Sequence, residues 1–423
     1  MAKMRVNTKY RKIRSDFSLS NNKVYRSING MEPKSVVNTI PLTWARAKDF
    51  SIVDPEGNTF IDLTCGIFVA NSGHSNPAIK KAIKDQIDSD LLFSYNYPTE
   101  IKEKFLKKLL QLAPKYFNRV ALLNTGSEAV DLAYKIMKVY GKKTKKKYIV
   151  TFTGSYHGRG LSNDLICGAK DKATRWSGVT DKYVRFIEFP YEEGTKFDPK
   201  KLPPAGEIAG FMLETFQGWG TWFYPKQFLR DLYKFARKNK ALVCFDEMQA
   251  GFYRLGPIFG YMTYGKDIQP DIICVGKAIT SSLPLAAVIS RRELVDIDKA
   301  DMHGTQSSNP LCLAAALANI KFLSANIAKF RKVMKVFESE MNKLTEFGIV
   351  KKVNARGMIA GIIFDETEPA TAIVKNCIRN GVLPVCTNRN SIKIAPPLTI
   401  TLPALREAVS VLRAAIELED KKQ

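Results

Sequence analysis

Short apolar runs alternate with helix-period segments along this chain from about residue 76 onward. NPAIKKAIKDQI spaces Ile79, Ile83 and Ile87 along one helical face, with Asn76 placed to cap the helix and Pro77 in its first turn. The apolar stretch VALLNTG leads into SEAVDLAYKIMKVYG, a helix expected to stop near Gly141. Further apolar runs follow at YIVTF, GFMLE, ALVCF, DIICV and LAAVIS, and the amphipathic PKQFLRDLYKFARKN separates two of them. Strands alternating with helices predict an α/β fold with a mostly parallel sheet covered on both faces.

The pattern changes after about residue 309. NPLCLAAALANIKFL reads as one long helix, with a more polar helix following it to about 346. Short strands, GMIAGIIF and SIKIA, and two helices complete the chain. These predict a smaller α+β domain, which residues 36–70, with their DPEGN turn, join or bridge. The expected division is a basic N-terminal arm at 1–30, a small domain from 31–72 and 309–423, and a large domain at 73–308.

Composition adjusts this picture only slightly. The chain has 423 residues, 45% of them hydrophobic, ample for a large core. No uninterrupted apolar run is long enough to cross a bilayer, and MAKMRVNTKYRKIR has no apolar segment behind it, as a secretory signal would. The net charge of +24 would suit a nucleic-acid binder or an acidic substrate. Much of the excess sits on exposed-looking helix faces, the N-terminal arm and KKTKKK, and no nucleic-acid motif accompanies it. A solvated, lysine-rich surface is the expectation. Seven scattered cysteines without a CxxC pair indicate a reducing, cytoplasmic setting. Three histidines are too few for a His-rich metal site, so no metal is expected.

Two apolar runs end in charge. VCFDE reaches Asp246 and Glu247, and DIICVGK reaches Lys277 beyond Gly276. Charge beside a core is costly unless paired or put to use. VCFDE resembles an ATPase Walker B strand, but its nearest P-loop match, GYMTYGKD, has Asp267 where a hydroxyl is required and follows the acidic strand. Lys277 is followed by AITSSLPLAAV and has no local partner. Desolvation there would lower its pKa and make a good amine nucleophile. NTGSEA opens a helix, where Gly126, Ser127 and first-turn N–H groups suit a phosphate, although a plain Ser cap is the commoner reading of this signal alone. A nucleophilic lysine, a strand-end aspartate and a phosphate cradle together describe a site for pyridoxal 5′-phosphate.

NTGSEA, YHGR, DEMQAGFYRLG, PDIICVGKAIT, HGTQSSNPL and IAPPL occur in one order, and in that order the chain resembles the class III (ω-type) aminotransferases of fold type I. The likeness covers nearly everything beyond the first thirty or so residues. It implies a three-layer αβα large domain and a transaminase that moves an amino group from an amino acid or ω-amino donor to a 2-oxo acid such as 2-oxoglutarate. It also implies that Lys277 forms the Schiff base, Asp246 partners the ring nitrogen and Gln249 lies near the phenolic oxygen. Gly126 and Ser127 would form the phosphate cup, Tyr156 would stack on the ring, and His157 would sit among the cofactor contacts. Thr305 would complete the phosphate site of a partner subunit in a homodimer. Arg159 matches an arginine for a substrate carboxylate, and Glu214 a gating acid.

The departures concern substrate. Lys393 stands where a second carboxylate-binding arginine is usual, and a lysine lacks the planar fork. Thr215 replaces a common proline, Ser307 and Ser308 replace glycines, and Trp219 and Trp222 enter the pocket region. A PLP-dependent aminomutase of glutamate-1-semialdehyde type is the alternative. Expected partners are small molecules, neither nucleic acid nor membrane.

Overall fold

The computed structural model describes residues 6–19, 22–33, 36, 40–168, 178–297 and 303–422. Parts of the predicted N-terminal arm, 1–5 and 20–21, lie outside them, as do five positions of the predicted 31–72 segment. Two compact units emerge: Met1–Asn76 with Lys329–Gln423, and Pro77–Ala328.

The Pro77–Ala328 unit is built on a seven-stranded sheet. Its order is Arg119–Leu123, Ala286–Ser290, Ile272–Val275, Leu242–Asp246, Ile208–Glu214, Tyr148–Phe152, Val184–Ile187. Only Ala286–Ser290 runs against its neighbours, so the sheet is mostly parallel. The five inner apolar runs form strands because each is buried on both faces and has no polar side to alternate, whereas Arg119–Leu123 at one edge is half-buried over its first three residues. Val184–Ile187 escaped the sequence reading: as an edge strand it buries only one residue fully, and its apolar signal is correspondingly short.

The Gly126–Thr144 helix packs Ala129, Val130, Ala133 and Met137 into the sheet's core. It does not stop near Gly141. The glycine is there for close packing, since a Cβ would lie 2.6 Å from the Lys146 carbonyl and 3.1 Å from the Ala209 Cβ. The left-handed residue that ends the helix is Lys145, at φ 58°.

Two helices were expected after residue 309, but Pro310–Asn342 is one helix of 33 residues. The change in sequence texture marks a change of surroundings. Leu313, Ala315, Ala316 and Ile320 are buried almost all round, whereas Phe330, Val333, Met334, Phe337 and Met341 form a single buried stripe. By length and apolar composition the helix could cross a bilayer, but those residues supply protein core.

The other unit is α+β. Arg46–Lys48, Ser51–Val53 and Thr59–Asp62 form a sheet extended by Lys12–Ile13 and Val6–Asn7 from the basic N-terminal segment. Arg11 ties that segment down through Glu407 at 2.7 Å. A four-stranded antiparallel sheet holds Lys352–Arg356, Ile359–Ile363, Ser391–Ile394 and Val385–Arg389, with helices Thr367–Arg379 and Leu402–Asp420.

Candidate active site

In open α/β sheets, ligands gather beyond the carboxyl ends of the strands. There the Pro77–Ala328 unit has a cleft of about 210 Å³ lined by Gly126, Ser127, Tyr156, His157, Glu214, Asp246, Gln249 and Lys277, among others. Eight of the twelve sequence-predicted site residues therefore meet in one place.

Asp246 closes the Leu242–Asp246 strand and is 6% exposed. Its Oδ2 lies 3.0 Å from His157 Nδ1, and its Oδ1 accepts the Met248 N–H at 3.1 Å. His157 is buried, its backbone N–H donates to Cys167 Sγ, and its Nε2 has no protein partner among the described residues. The pair fixes the orientation of the carboxylate while the aspartate faces the cleft.

Lys277 follows the Ile272–Val275 strand and opens a short 3-10 turn at φ 44°, a left-handed backbone that a residue with a Cβ adopts only when its surroundings impose it. Burial pushes its amine below the ordinary 10.5, against the opposing pull of Asp246 and then Glu214. A Cβ added to Gly276 before it would lie 2.6 Å from Met248 Sδ.

The cradle is the start of the Gly126–Thr144 helix. The cap is Thr125, not Ser127: Thr125 Oγ1 accepts the Glu128 N–H, and Glu128 reaches back to the Thr125 N–H at 2.7 Å. The T-x-x-E spacing of this capping box was readable in the sequence and was missed. With Thr125 doing the capping, Gly126 and Ser127 occupy the first turn, where backbone N–H groups and the helix dipole favour an anion. Ser127 Oγ accepts the Arg159 N–H at 3.2 Å. A Cβ on Gly126 would meet Met248 Sδ at 2.8 Å.

Glu214 ends the neighbouring strand, 6% exposed, and its two oxygens accept the Tyr156 and Gly218 N–H groups, each at 3.1 Å. Burial is the main cause that pushes its carboxyl up to about 7, and the nearby Asp246 adds to it. Gln249 lies so close that its Nε2 would be 2.5 Å from a Cβ on Gly218.

The remaining four predicted residues do not line this cleft. Arg159 is exposed, its Nε donating to Tyr156 Oη at 3.0 Å. Thr305 is exposed in a turn. Trp219 sits one residue beyond Gly218 and donates its Nε1 to Gln217 Oε1 at 2.5 Å. Lys393 belongs to the other unit, 7% exposed on the Ser391–Ile394 strand, its Nζ 4.3 Å from the Phe68 ring centroid.

The P-loop competitor fails on geometry. Gly260–Tyr264 is a 3-10 turn whose Gly260 and Tyr261 N–H groups point to Glu247 at 2.6 and 2.7 Å, and Lys266 is exposed. The cleft's own groups suit pyridoxal phosphate instead. A helix N-terminus matches a phosphate, a desolvated amine matches an aldehyde, and an oriented carboxylate matches a ring nitrogen.

The family model described as "Aminotransferase class-III" matches residues 33–416. Acetylornithine aminotransferase of Bacillus subtilis is 32% identical over 380 residues, 88% of this chain and 94% of that protein. Isoleucine 2-epimerase of Lentilactobacillus buchneri is 29% identical, over 89% of this chain and 90% of its own. Among solved structures, ornithine aminotransferase from Toxoplasma gondii superposes with a TM-score of 0.85 over 96% of both chains, at 20% identity.

Proposed function

The chain belongs to the class III aminotransferases, enzymes that use pyridoxal phosphate, and on that premise we propose how its residues divide the work. When bound, the cofactor supplies an aldehyde carbon and an electron-withdrawing pyridine ring. Gly126 and Ser127 hold its phosphate, and Tyr156 covers a ring face. Asp246, oriented by His157, keeps the ring nitrogen protonated, and Gln249 meets the phenolic oxygen. Lys277 Nζ is the point of covalent attachment. As a free amine it would carry the proton from the substrate carbon to the former aldehyde carbon of the cofactor, as base and then acid. Its lowered pKa favours the neutral amine that covalent attachment and proton abstraction need.

The observation that carries this reading is that Lys277 and Asp246 line one cleft with the Gly126–Ser127 helix start. Borohydride reduction of the purified enzyme followed by peptide mapping tests it. A pyridoxyl group on Lys277 is expected; a label on another lysine, or none with added cofactor, refutes the assignment.

The partners are an amino donor and a 2-oxo acid such as 2-oxoglutarate, with Arg159 holding its carboxylate. Arg159→Ala is expected to raise KM for the dicarboxylate while leaving cofactor absorbance unchanged, and unaltered kinetics would remove Arg159 from the site. Because both oxygens of Glu214 are held by backbone N–H groups, a moving gate would have to break two hydrogen bonds. We assign Glu214 to the fixed wall of the site. A homodimer is part of the same proposal. Thr305 is exposed in the single chain, and Leu91, Leu92, Phe93, Tyr95 and Tyr97 form an exposed apolar stretch that a partner would cover. A cytoplasmic setting accords with seven free cysteines.

A further inference from the structure

Surplus positive charge gathers at the amino ends of the sheet strands in the Pro77–Ala328 unit, the end opposite the cleft. The Gly126–Thr144 helix closes on Lys142 and Lys143, and Lys145, Lys146 and Lys147 follow at once. Lys146 turns inward. Its Nζ donates to the Asn239 carbonyl at 2.7 Å and the Gly206 carbonyl at 3.3 Å, while Tyr140 Oη donates to the Lys240 carbonyl at 2.6 Å. These bonds fasten the lysine turn to the end of the Lys226–Lys238 helix, where Lys238 and Lys240 are exposed. Burial and then the like charge of Lys240 push the Lys146 amine below its ordinary 10.5, so the fold holds these cations together against their repulsion. Glu207, 3.3 Å from Lys147, is the one acid paired with any of them among the described residues.

Other exposed lysines differ. Lys104 and Lys107 on the Glu100–Leu112 helix each meet a glutamate four residues back, which neutralises them locally. A helix C-terminus accounts for a cation or two in its last turn, and so for Lys142, Lys143 and Lys238. Lys145, Lys147 and Lys240 lie beyond the helices. Lys147 then leads into Tyr148, whose ring meets that of Tyr183 edge-on at 5.7 Å, and both tyrosines are half-buried. The Arg185 guanidinium lies 4.9 Å from the Tyr148 centroid, and Lys182 Nζ lies 5.2 Å from that of Tyr183. This border is an edge of the sheet, where Val184–Ile187 is the last strand. Cations beside partly exposed ring faces match an unpaired nucleic-acid strand, with charge for its phosphates and π-faces for its bases.

We propose that this surface, running from the 142–147 turn across Tyr148 and Tyr183 to Arg185, binds single-stranded nucleic acid. The lysines neutralise phosphates, and the two rings receive bases. Composition suggests only a solvated face; the structure adds the gathering of its cations around two rings. No residue of this surface lines the cleft, so the inference stands apart from the amino-transfer reading.

Fluorescence anisotropy with the full-length holoenzyme tests it, using labelled oligouridylate and oligothymidylate of about 20 nucleotides in about 50 to 200 mM salt. A Kd of about 10⁻⁶ M or tighter is expected at the lowest salt, weakening steeply as salt rises. Joint replacement of Lys142→Glu, Lys143→Glu and Lys145→Glu should weaken binding more than about tenfold. It should also flatten the slope of log Kd against log salt by about 2. Tyr183→Leu should weaken binding several-fold with little change in that slope, and circular dichroism checks that each variant is folded. The control, Lys104→Glu with Lys107→Glu and Lys108→Glu, makes the same change of charge on the Glu100–Leu112 helix and should weaken binding less than about threefold. An equal loss in the control would assign binding to net charge and overturn the surface. So would duplex DNA bound as tightly and indifferent to Tyr183→Leu, adsorption to phosphatidylserine vesicles without oligonucleotide binding, or no binding at low salt. Binding of oligouridylate alone, or of both oligonucleotides, supports the surface and decides whether its strand is RNA or either kind.

Discussion

Asp246 and Glu247 are adjacent and both almost fully buried, yet they face different regions of the same unit. Asp246 faces the cleft, held by one side chain and one N–H, with His157 behind it. Glu247 turns away, and its carboxylate is enclosed by the Thr215 hydroxyl and the Gly260 and Tyr261 N–H groups. That enclosure satisfies the acid within the protein and ties the 260–264 turn to the strand end. Burial alone therefore does not mark a functional acid. What separates the two is whether the protein itself consumes the carboxylate's hydrogen-bonding capacity.

Substitutions should split the pair. The cleft side should show the largest effect: Lys277→Ala is expected to lower the rate of amino transfer on the order of 10⁴-fold or more, with circular dichroism unchanged. Asp246→Asn should follow, with kcat reduced roughly 10²–10³-fold and thermal stability nearly unchanged. Glu247→Gln should reverse the pattern. Stability should fall by about 1–3 kcal/mol, read from the urea midpoint, while the surviving folded enzyme keeps most of its kcat. If Glu247→Gln lost activity without losing stability, the division between the two acids would be wrong.

The smallest effect is one of pH. Burial pushes both Glu214 and Glu247 up to about 7 from an ordinary 4.5. Between those values the folded chain holds protons that the unfolded chain has released. Their contribution to stability is full below about pH 4.5 and declines as pH rises toward 7. Replacing Glu247 by Gln should flatten that slope in denaturation curves recorded across the interval, and an unchanged slope would exclude Glu247 as one of its sources.

Much of this was legible in the chain. The central strands were readable because burial on both faces leaves uninterrupted apolar runs, and the charges ending those runs pointed to Asp246 and Lys277. Ordered motifs supplied the cradle. Less legible was anything set by contacts distant in sequence. Gln217 looks like an ordinary polar residue until Tyr191 and Trp219 are seen on its oxygen. Gly141 reads as a helix stop until the Lys146 carbonyl is seen against it. Glu247 reads like its neighbour until the 260–264 turn closes over it. Arg159, Thr305 and Lys393 belong to the same class, because their proposed partners are substrate or another subunit and no pattern within the chain places them in the cleft.

One thioether has a wider consequence. Met248 fills the space against two glycines at once, the one opening the phosphate cradle and the one preceding the reactive lysine. Positions 126, 248 and 276 therefore share a single volume, and a Cβ gained at either glycine has to displace the Met248 thioether. Alanine at 126 or 276 is accommodated only as far as that flexible chain can swing aside, and a shorter residue at 248 should ease either replacement.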